Sequence, residues 1–219
     1  MAPRRVRNAI NSDRPIVTYS LIAICAAVWG LQLLLDGNFT LEFMYAPVLT
    51  AAEPWRMITA AFLHDTGSPL HILFNMYSLW IFGSILEKAL GRARYLWLYL
   101  LSALGGSVGV LLLAPNSSVF GASGAIFGLM GAYFVVIRAL GGRSSQMVGL
   151  IAINLVSGFI IPGISWQAHV GGLAIGGLVA WIYAKNRNSP ARVNVLLVGV
   201  LVGLAVVTAL GVTRLFLGL

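Results

Sequence analysis

The sequence is poor in charged residues, and this scarcity excludes an ordinary soluble domain. Only 9% of its 219 residues are charged, whereas soluble domains have about a quarter. It has six acidic residues and one cysteine. Cys25 can form no internal disulfide, and we interpret it as a small core residue. The rest is strongly apolar, with 59% hydrophobic residues and a mean hydropathy of +0.90, which predicts an integral membrane protein.

Seven apolar runs are long enough to cross a bilayer as helices, which takes about 17 to 25 residues. The predicted spans lie at about 17–35, 71–87, 95–114, 121–137, 147–164, 165–184 and 194–213. Short connections join them, except for one long outer loop at 36–70. The sequence therefore predicts one all-α bundle. Because six spans follow the first, we interpret the first as an uncleaved anchor.

The basic residues lie almost entirely on one side of the predicted spans. Of the 14 Lys and Arg residues, twelve precede the first span or follow the second, fourth and sixth, and only Arg56 and Arg214 fall on the other side. The positive-inside rule then predicts a cytoplasmic N-terminus and an outer end for the seventh span. Topology explains the net charge of +8 better than nucleic-acid binding, so no nucleic-acid partner is expected.

Four polar residues lie at one predicted depth in three different spans. Polar side chains of this kind inside a membrane are costly and are functional hypotheses by default. Ser123, His169, His71 and Asn75 lie 13 to 17 residues above the basic residue that ends each span on the cytoplasmic side. At 1.5 Å per residue these counts correspond to about 20 to 26 Å. The four groups therefore share a layer near the outer surface, and His71 and Asn75, four residues apart, share a helix face.

Two stripes of small residues predict close packing of the fourth and sixth spans. The stripes are Gly124, Gly128 and Gly131 in the fourth span and Gly172 and Gly176 in the sixth. Small residues allow helix backbones to approach each other. Ser123 borders the first stripe and His169 begins the second, so docking of the stripes brings the hydroxyl near the imidazole. A neighbouring base is what a serine needs to become a nucleophile at neutral pH.

The acidic residues do not supply the third member of a catalytic triad. Asp13 and Glu87 are predicted on the cytoplasmic side, and the other four lie in or beside the outer loop. These four are Asp36, Glu42, Glu53 and Asp65. The pattern therefore predicts a Ser/His dyad whose imidazole is oriented by packing.

Acyl transfer also requires hydrogen-bond donors for the developing oxyanion. Ser123 lies at or near the start of the fourth span, where backbone N–H groups have no partner within the helix. The side chains of His71 and Asn75 are further candidate donors. We therefore expect the oxyanion site to include His71, Asn75 and the Ser123 amide.

Four short motifs at these positions resemble those of the rhomboid intramembrane serine proteases. They are "WR" at residues 55–56, "HILFN" at 71–75, "GASG" at 121–124 and "AHVGGLAIG" at 168–176, in the family's order. The resemblance implies an all-α, rhomboid-like bundle of six core transmembrane helices, here followed by a seventh. It implies that Ser123 is the nucleophile and His169 the base, with the oxyanion site named above, and it implies no cofactor and no metal.

Other residues of the motifs are expected to shape the site. They are Gly121, Gly124, Phe127, Gly172, Gly176, Trp55 and Arg56. Some family members have a tyrosine stacked on the catalytic histidine where this chain has Phe127, and we expect the loss of the hydroxyl to be tolerated. Trp55 and Arg56 are explained equally well as an anchor at the outer membrane interface.

The resemblance and the charge pattern together give an expected organisation. Residues 1–14 form a short cytoplasmic tail, 15–187 the six-helix catalytic core with outer loop 36–70, and 188–219 a connector and the seventh helix. The expected protein is a multi-pass protein of the plasma (inner) membrane whose site opens to the extracytoplasmic side. Its expected partners are the lipid bilayer and transmembrane substrates. These substrates are expected to be cleaved near the outer face through an acyl-enzyme. The sequence does not define the oligomeric state.

Two other classes of protein are alternatives. A small transporter or channel would use the polar layer as a solute site, but below this layer the second, fourth and sixth spans contain mainly Gly, Ala, Leu, Ile and aromatic residues. A binder of membrane helices would hold a transmembrane segment without cutting it. Taken singly, Ser123, His71 and Asn75 are also explained by contacts between helices.

Overall fold

The long apolar runs of the sequence form helices. The computed structural model describes residues 14–35, 37–161 and 163–218, and within these ranges the seven predicted spans correspond to seven helices. They are α1 (Ile16–Leu34), α2 (Pro69–Leu90), α3 (Arg92–Leu113), α4 (Ser123–Ala139), α5 (Ser145–Ile160), α6 (Trp166–Lys185) and α7 (Pro190–Leu217). In this part of the chain the only pairing of extended backbone is an isolated bridge between Tyr45 and Val119, so the prediction of an all-α membrane bundle is confirmed.

Two of the seven helices lie at the lower limit of the length needed for a membrane crossing. Five are long and apolar enough to cross, whereas α4 has 17 residues and α5 has 16. At 1.5 Å per residue α4 and α5 are about 24 to 26 Å long, less than the roughly 30 Å of bilayer hydrocarbon. The prediction of seven spanning segments is therefore supported by length and composition for five of them.

Glycine allows α6 to lie directly against α4 and α3. A methyl group built on Gly172 would lie 1.9 Å from the carbonyl oxygen of Gly124, and one on Gly176 would lie 2.2 Å from that of Gly128. On the other side of α6, a methyl group on Gly171 would lie 2.2 Å from the Gly105 carbonyl oxygen. The contact of α4 with α6 therefore follows the glycine stripes of the sequence. Helix α3 is buried over most of its length, and together with α4 and α6 it forms a central group of three helices.

The outer loop between α1 and α2 contains short helical turns. They are Gly37–Phe43, Pro47–Leu49, Arg56–Thr59 and Ala60–Phe62. The Ser107 hydroxyl of α3 donates a hydrogen bond to the Met57 carbonyl (2.8 Å), and the Thr59 hydroxyl donates one to Phe43 (2.9 Å). These bonds fasten the loop to the bundle and to itself.

A buried carboxylate joins the first turn of α1 to the last turn of α2. Glu87 is 3% exposed. It accepts hydrogen bonds from the backbone N–H groups of Val17 (2.9 Å) and Thr18 (2.8 Å) and from the Thr18 hydroxyl (2.8 Å). The first N–H groups of a helix have no partner within it, and the helix dipole favours a negative charge there. Glu87 therefore caps α1 from a neighbouring helix.

Replacing Glu87 with glutamine is expected to destabilise the protein by about 1 to 3 kcal/mol. Glutamine has an NH₂ group in place of one carboxylate oxygen, so at least one N–H or O–H donor of Val17 or Thr18 loses its acceptor. The measurement is thermal unfolding in detergent. The control is Lys88→Gln, at the exposed neighbouring position, for which we expect a change within about 0.5 kcal/mol. Equal effects of the two substitutions would contradict the capping role.

The predicted N-terminal tail and the last helix are the remaining parts of the chain. Residues 1–13, which include Arg4, Arg5, Arg7 and Asp13 of the predicted cytoplasmic tail, lie outside the described residues, as does Asp36. Helix α7 packs on α3 and α6 and leaves most of its apolar surface exposed. Such a surface suits a helix that faces lipid.

Candidate active site

The Ser123 hydroxyl and the His169 imidazole lie within hydrogen-bonding distance. Ser123 is the first residue of α4, and His169 lies in the first turn of α6. The distance from Ser123 Oγ to His169 Nε2 is 3.0 Å. Their helices approach closely because Gly124, beside Ser123, faces Gly172, one turn after His169. This is the separation at which an imidazole nitrogen can accept the proton of a serine hydroxyl.

An aromatic ring fixes the plane of this imidazole. Phe127, four residues after Ser123, stacks on His169 with ring centroids 3.9 Å apart and planes inclined by 11°. His169 is 4% exposed, and its Nδ1 has no hydrogen-bond partner in the described part of the chain. No described carboxylate therefore orients the ring, and the contact with Phe127 does.

Glycine at position 121 leaves a space between Ser123 and a second histidine. Gly121 has φ +126°, a conformation that residues with a side chain rarely adopt. A methyl group built on Gly121 would lie 3.0 Å from His71 Nε2 and 3.9 Å from Ser123 Oγ. The empty position beside Gly121 is thus bordered by both groups.

The hydrogen bonds of His71 define which of its nitrogens has the proton. The backbone N–H of Asp65 donates to His71 Nδ1 (3.1 Å), so Nδ1 is an acceptor and a neutral ring has its proton on Nε2. Nε2 is the nitrogen beside Gly121. The arrangement therefore presents an N–H donor to the space next to Ser123.

Asn75 lies one turn after His71 and is buried. Its Nδ2 donates to the backbone carbonyl of His71 (2.8 Å). A side-chain amide has two N–H groups, so this bond uses only one of them. The contact links Asn75 to the histidine rather than directly to Ser123 or His169.

Trp55 and Arg56 have different surroundings. Trp55 is 52% exposed, whereas Arg56 is 7% exposed. The Arg56 guanidinium pairs with Glu53 and donates to the carbonyl oxygens of Leu41 and Met44, the latter at 3.1 Å. Arg56 therefore holds the outer loop together, and Trp55 keeps the exposure expected of an interfacial residue.

The backbone that leads into Ser123 is held by the outer loop. Tyr45 and Val119 exchange two backbone hydrogen bonds of 3.0 and 2.8 Å, and the Gly121 N–H donates to the Ala60 carbonyl (2.8 Å). Sequence reasoning did not identify Tyr45 or Ala60. No periodicity relates these distant segments, so the sequence contains no local signal for the pairing.

Sequence reasoning also did not identify His64. Its side chain is fully buried, and its ring lies 5.3 Å, centroid to centroid, from that of His71. Burial, followed by the proximity of His71, lowers the pKa of His64 to about 4, so the ring is neutral at neutral pH. The sequence contains one signal that could have identified His64, namely its position seven residues before His71. In the described ranges, no group of three or more His, Cys, Asp or Glu side chains is arranged to hold a metal ion.

Comparisons with known proteins agree on one family. The model of the Rhomboid domain matches residues 51–186. The rhomboid protease GluP of Bacillus subtilis is 32% identical over 184 residues, which cover 78% of this chain and 35% of GluP. The rhomboid relative YdcA of the same organism is 33% identical over 185 residues, which cover 80% of this chain and 91% of YdcA.

A third relative comes from another organism. The rhomboid protease GlpG of Yersinia pestis is 32% identical over 194 residues, which cover 84% of this chain and 68% of GlpG. The chain thus spans about a third of GluP, two thirds of GlpG and most of YdcA. The domain match extends over more than half of the sequence and ends just before α7. On these grounds, the chain belongs to the rhomboid family.

Proposed function

We propose that this chain is an intramembrane serine endopeptidase that cleaves transmembrane segments near the outer membrane face, with Ser123 as nucleophile and His169 as general base. The observation that supports this function best is the 3.0 Å distance between Ser123 Oγ and His169 Nε2. A hydroxyl with a neighbouring imidazole is suited to covalent catalysis of acyl transfer. The relatives named as rhomboid proteases support the same class of reaction.

The reaction has two steps. In the first, His169 Nε2 takes the proton of Ser123 as Oγ attacks the scissile carbonyl carbon, and the C–N bond then breaks as the proton passes to the leaving amine. In the second, Nε2 takes a proton from water as the water oxygen attacks the acyl-enzyme ester. The bond from the carbonyl carbon to Oγ then breaks as the proton passes from Nε2 to Oγ, which releases a carboxylic acid and the free serine. Phe127 keeps the imidazole plane fixed through both steps. The dyad needs no cofactor and no metal.

The developing oxyanion would lie in the space beside Gly121. The His71 Nε2–H, the Ser123 backbone N–H and the second amide N–H of Asn75 are its proposed donors. Donors of this kind act strongly where water is excluded, and loss of one typically lowers the rate by about 10² to 10³.

The proposed substrate is a single transmembrane segment that enters the bundle sideways. A helix in lipid satisfies its own backbone hydrogen bonds, so a peptide bond within it is protected until the helix unwinds locally. Small or helix-breaking residues near the outer end of the segment would favour unwinding. Water from the outer side would then complete the hydrolysis.

The proposed placement follows the basic residues. The N-terminus and the loops after α2, α4 and α6 face the cytoplasm, and the site opens to the extracytoplasmic side of the plasma (inner) membrane. Residues 15–187 form the catalytic core, with 1–14 as the tail and 188–219 as the connector and seventh helix.

This function is tested by incubating the purified protein with a panel of tagged transmembrane segments in detergent or liposomes. We expect cleavage within the outer third of at least one segment that has small or helix-breaking residues there, and no cleavage of an unfolded soluble polypeptide. The cut is mapped by mass spectrometry of both fragments. Binding of segments without cleavage would instead favour a helix-binding protein, and solute flux in proteoliposomes without cleavage would favour a transporter.

A further inference from the structure

Two side chains of α1 reach the loop that supports His71. We propose that Gln32 and Trp29 are positioning residues that hold the backbone of His64 and Asp65, and thereby keep the His71 Nε2–H directed at the space beside Gly121. This inference rests on the proposed function, since it concerns a donor of the proposed oxyanion site. Neither residue belongs to the four motifs of the sequence.

Gln32 uses both ends of its amide. It lies in the last turn of α1 and is 6% exposed. Its Oε1 accepts a hydrogen bond from the backbone N–H of His64 (2.9 Å), and its Nε2 donates to the Thr40 hydroxyl (2.9 Å). The two bonds fix the orientation of the amide, which is costly to bury in an apolar helix without such partners.

Trp29 lies one turn before Gln32 and contacts the next residue of the same loop. Its indole Nε1–H donates to the Asp65 carbonyl (3.1 Å). Residues three apart on a helix lie on one face, so α1 holds two consecutive residues of the loop from one side. The carboxylate of Asp65 accepts from the Gly67 N–H (2.9 Å), which tightens the turn that leads into α2.

The held backbone acts directly on the imidazole of His71. The Asp65 N–H that donates to His71 Nδ1 (3.1 Å) belongs to the residue whose carbonyl Trp29 holds. If this N–H moves away, Nδ1 becomes free to take the ring proton, and Nε2 then becomes an acceptor that repels an oxyanion. The contacts made by α1 thus select the His71 tautomer that can donate.

The test is Gln32→Met, which keeps the length of the side chain and removes the acceptor of the His64 N–H. We expect kcat for cleavage of a tagged transmembrane segment to fall about 10-fold or more, because small displacements of a catalytic group have large effects on rate, with KM little changed. Gln32→Glu keeps the acceptor oxygen and should restore most of the rate. Trp29→Phe, which removes one donor and keeps the aromatic ring, should lower kcat in the same direction.

The matched control is Gln146→Met, the same change at an exposed glutamine on α5, which should leave kcat unchanged. A His71→Ala background distinguishes positioning from general stability. If Gln32 acts through His71, Gln32→Met lowers kcat by no more than about 2-fold in this background, since the coupling is then lost. An equal fall in kcat in both backgrounds would overturn the proposal.

A readout without catalysis separates this proposal from the proposed function. In the ¹⁵N spectrum of the folded protein, His71 should show a protonated Nε2 and an unprotonated Nδ1, and Gln32→Met should shift this tautomer balance. An unchanged tautomer in Gln32→Met overturns the positioning role even if the wild type cleaves its substrate. Absence of cleavage by the wild type, with the tautomer shift observed, counts against the proteolytic function alone.

Discussion

Replacing Ser123 with alanine is expected to lower the rate of cleavage by at least about 10⁴-fold. The change removes the proposed nucleophile, and Ser123 and His169 are proposed to act as a unit, so that the loss of one disables both. The hydroxyl has one hydrogen bond in the site, to His169, and its loss adds no bulk. The temperature of unfolding should therefore remain close to that of the wild type. The measurement is initial cleavage rate together with thermal unfolding in the same detergent.

The control for Ser123→Ala is Ser145→Ala. Ser145 is exposed and begins α5, beyond the opposite end of α4 from Ser123. It should retain the wild-type rate. If Ser123→Ala cleaves at a rate within a few-fold of the Ser145 variant, Ser123 is not the nucleophile.

A methyl group at Gly172 is expected to have the largest effect on stability. In Gly172→Ala the new Cβ would lie 1.9 Å from the Gly124 carbonyl oxygen, and both are held by helix backbones, so α4 and α6 must separate. Overpacking usually costs about 1 to 3 kcal/mol, and we expect the upper end of this range or more. Because Gly124 follows Ser123 directly, the separation should also lengthen the distance from Ser123 to His169 and lower the cleavage rate.

Gly177→Ala on the same helix provides the matched control. A methyl group built on Gly177 meets no atom within 4 Å, and alanine is a better helix former than glycine by about 0.5 to 1 kcal/mol. The same substitution five residues apart should therefore destabilise at position 172 and slightly stabilise at position 177. Equal unfolding temperatures for the two variants would contradict the close packing of α4 and α6.

The sequence predicts the helices well because length and apolarity determine them. The weakest cases are α4 and α5, which have 17 and 16 residues and so lie at the lower limit of length for a crossing. The predicted start of the fourth span included Gly121. The positive φ of Gly121 is incompatible with a helix, so α4 begins two residues later, and apolarity alone does not detect this difference.

The proximity of Ser123 and His169 follows from simple counting. Each lies at a similar distance from the basic residue at the far end of its span, and each borders a glycine stripe, so depth and face are both available in the sequence. The packing of α3 against α6 also depends on glycine at the contact, here Gly105 and Gly171. Sequence reasoning did not identify it because the search for glycine stripes was confined to the spans that contain Ser123 and His169.

Contacts between distant segments were not predictable in this way. Glu87 was expected only on the cytoplasmic side, whereas it is buried and caps α1 about 70 residues away. The bond from His64 to Gln32 likewise joins residues 32 positions apart. No periodicity relates such partners, since each pairing depends on how two helices approach after folding.

The most direct test of the central claim, that Ser123 is a nucleophile activated by His169, is labelling with a fluorophosphonate probe. Attack by Ser123 Oγ on phosphorus forms a P–O bond and expels fluoride, while His169 accepts the hydroxyl proton. We predict a single adduct, located by mass spectrometry on Ser123 of the wild type and absent from folded His169→Ala protein. An adduct on another residue, or equal labelling of Ser123 without His169, would contradict this account.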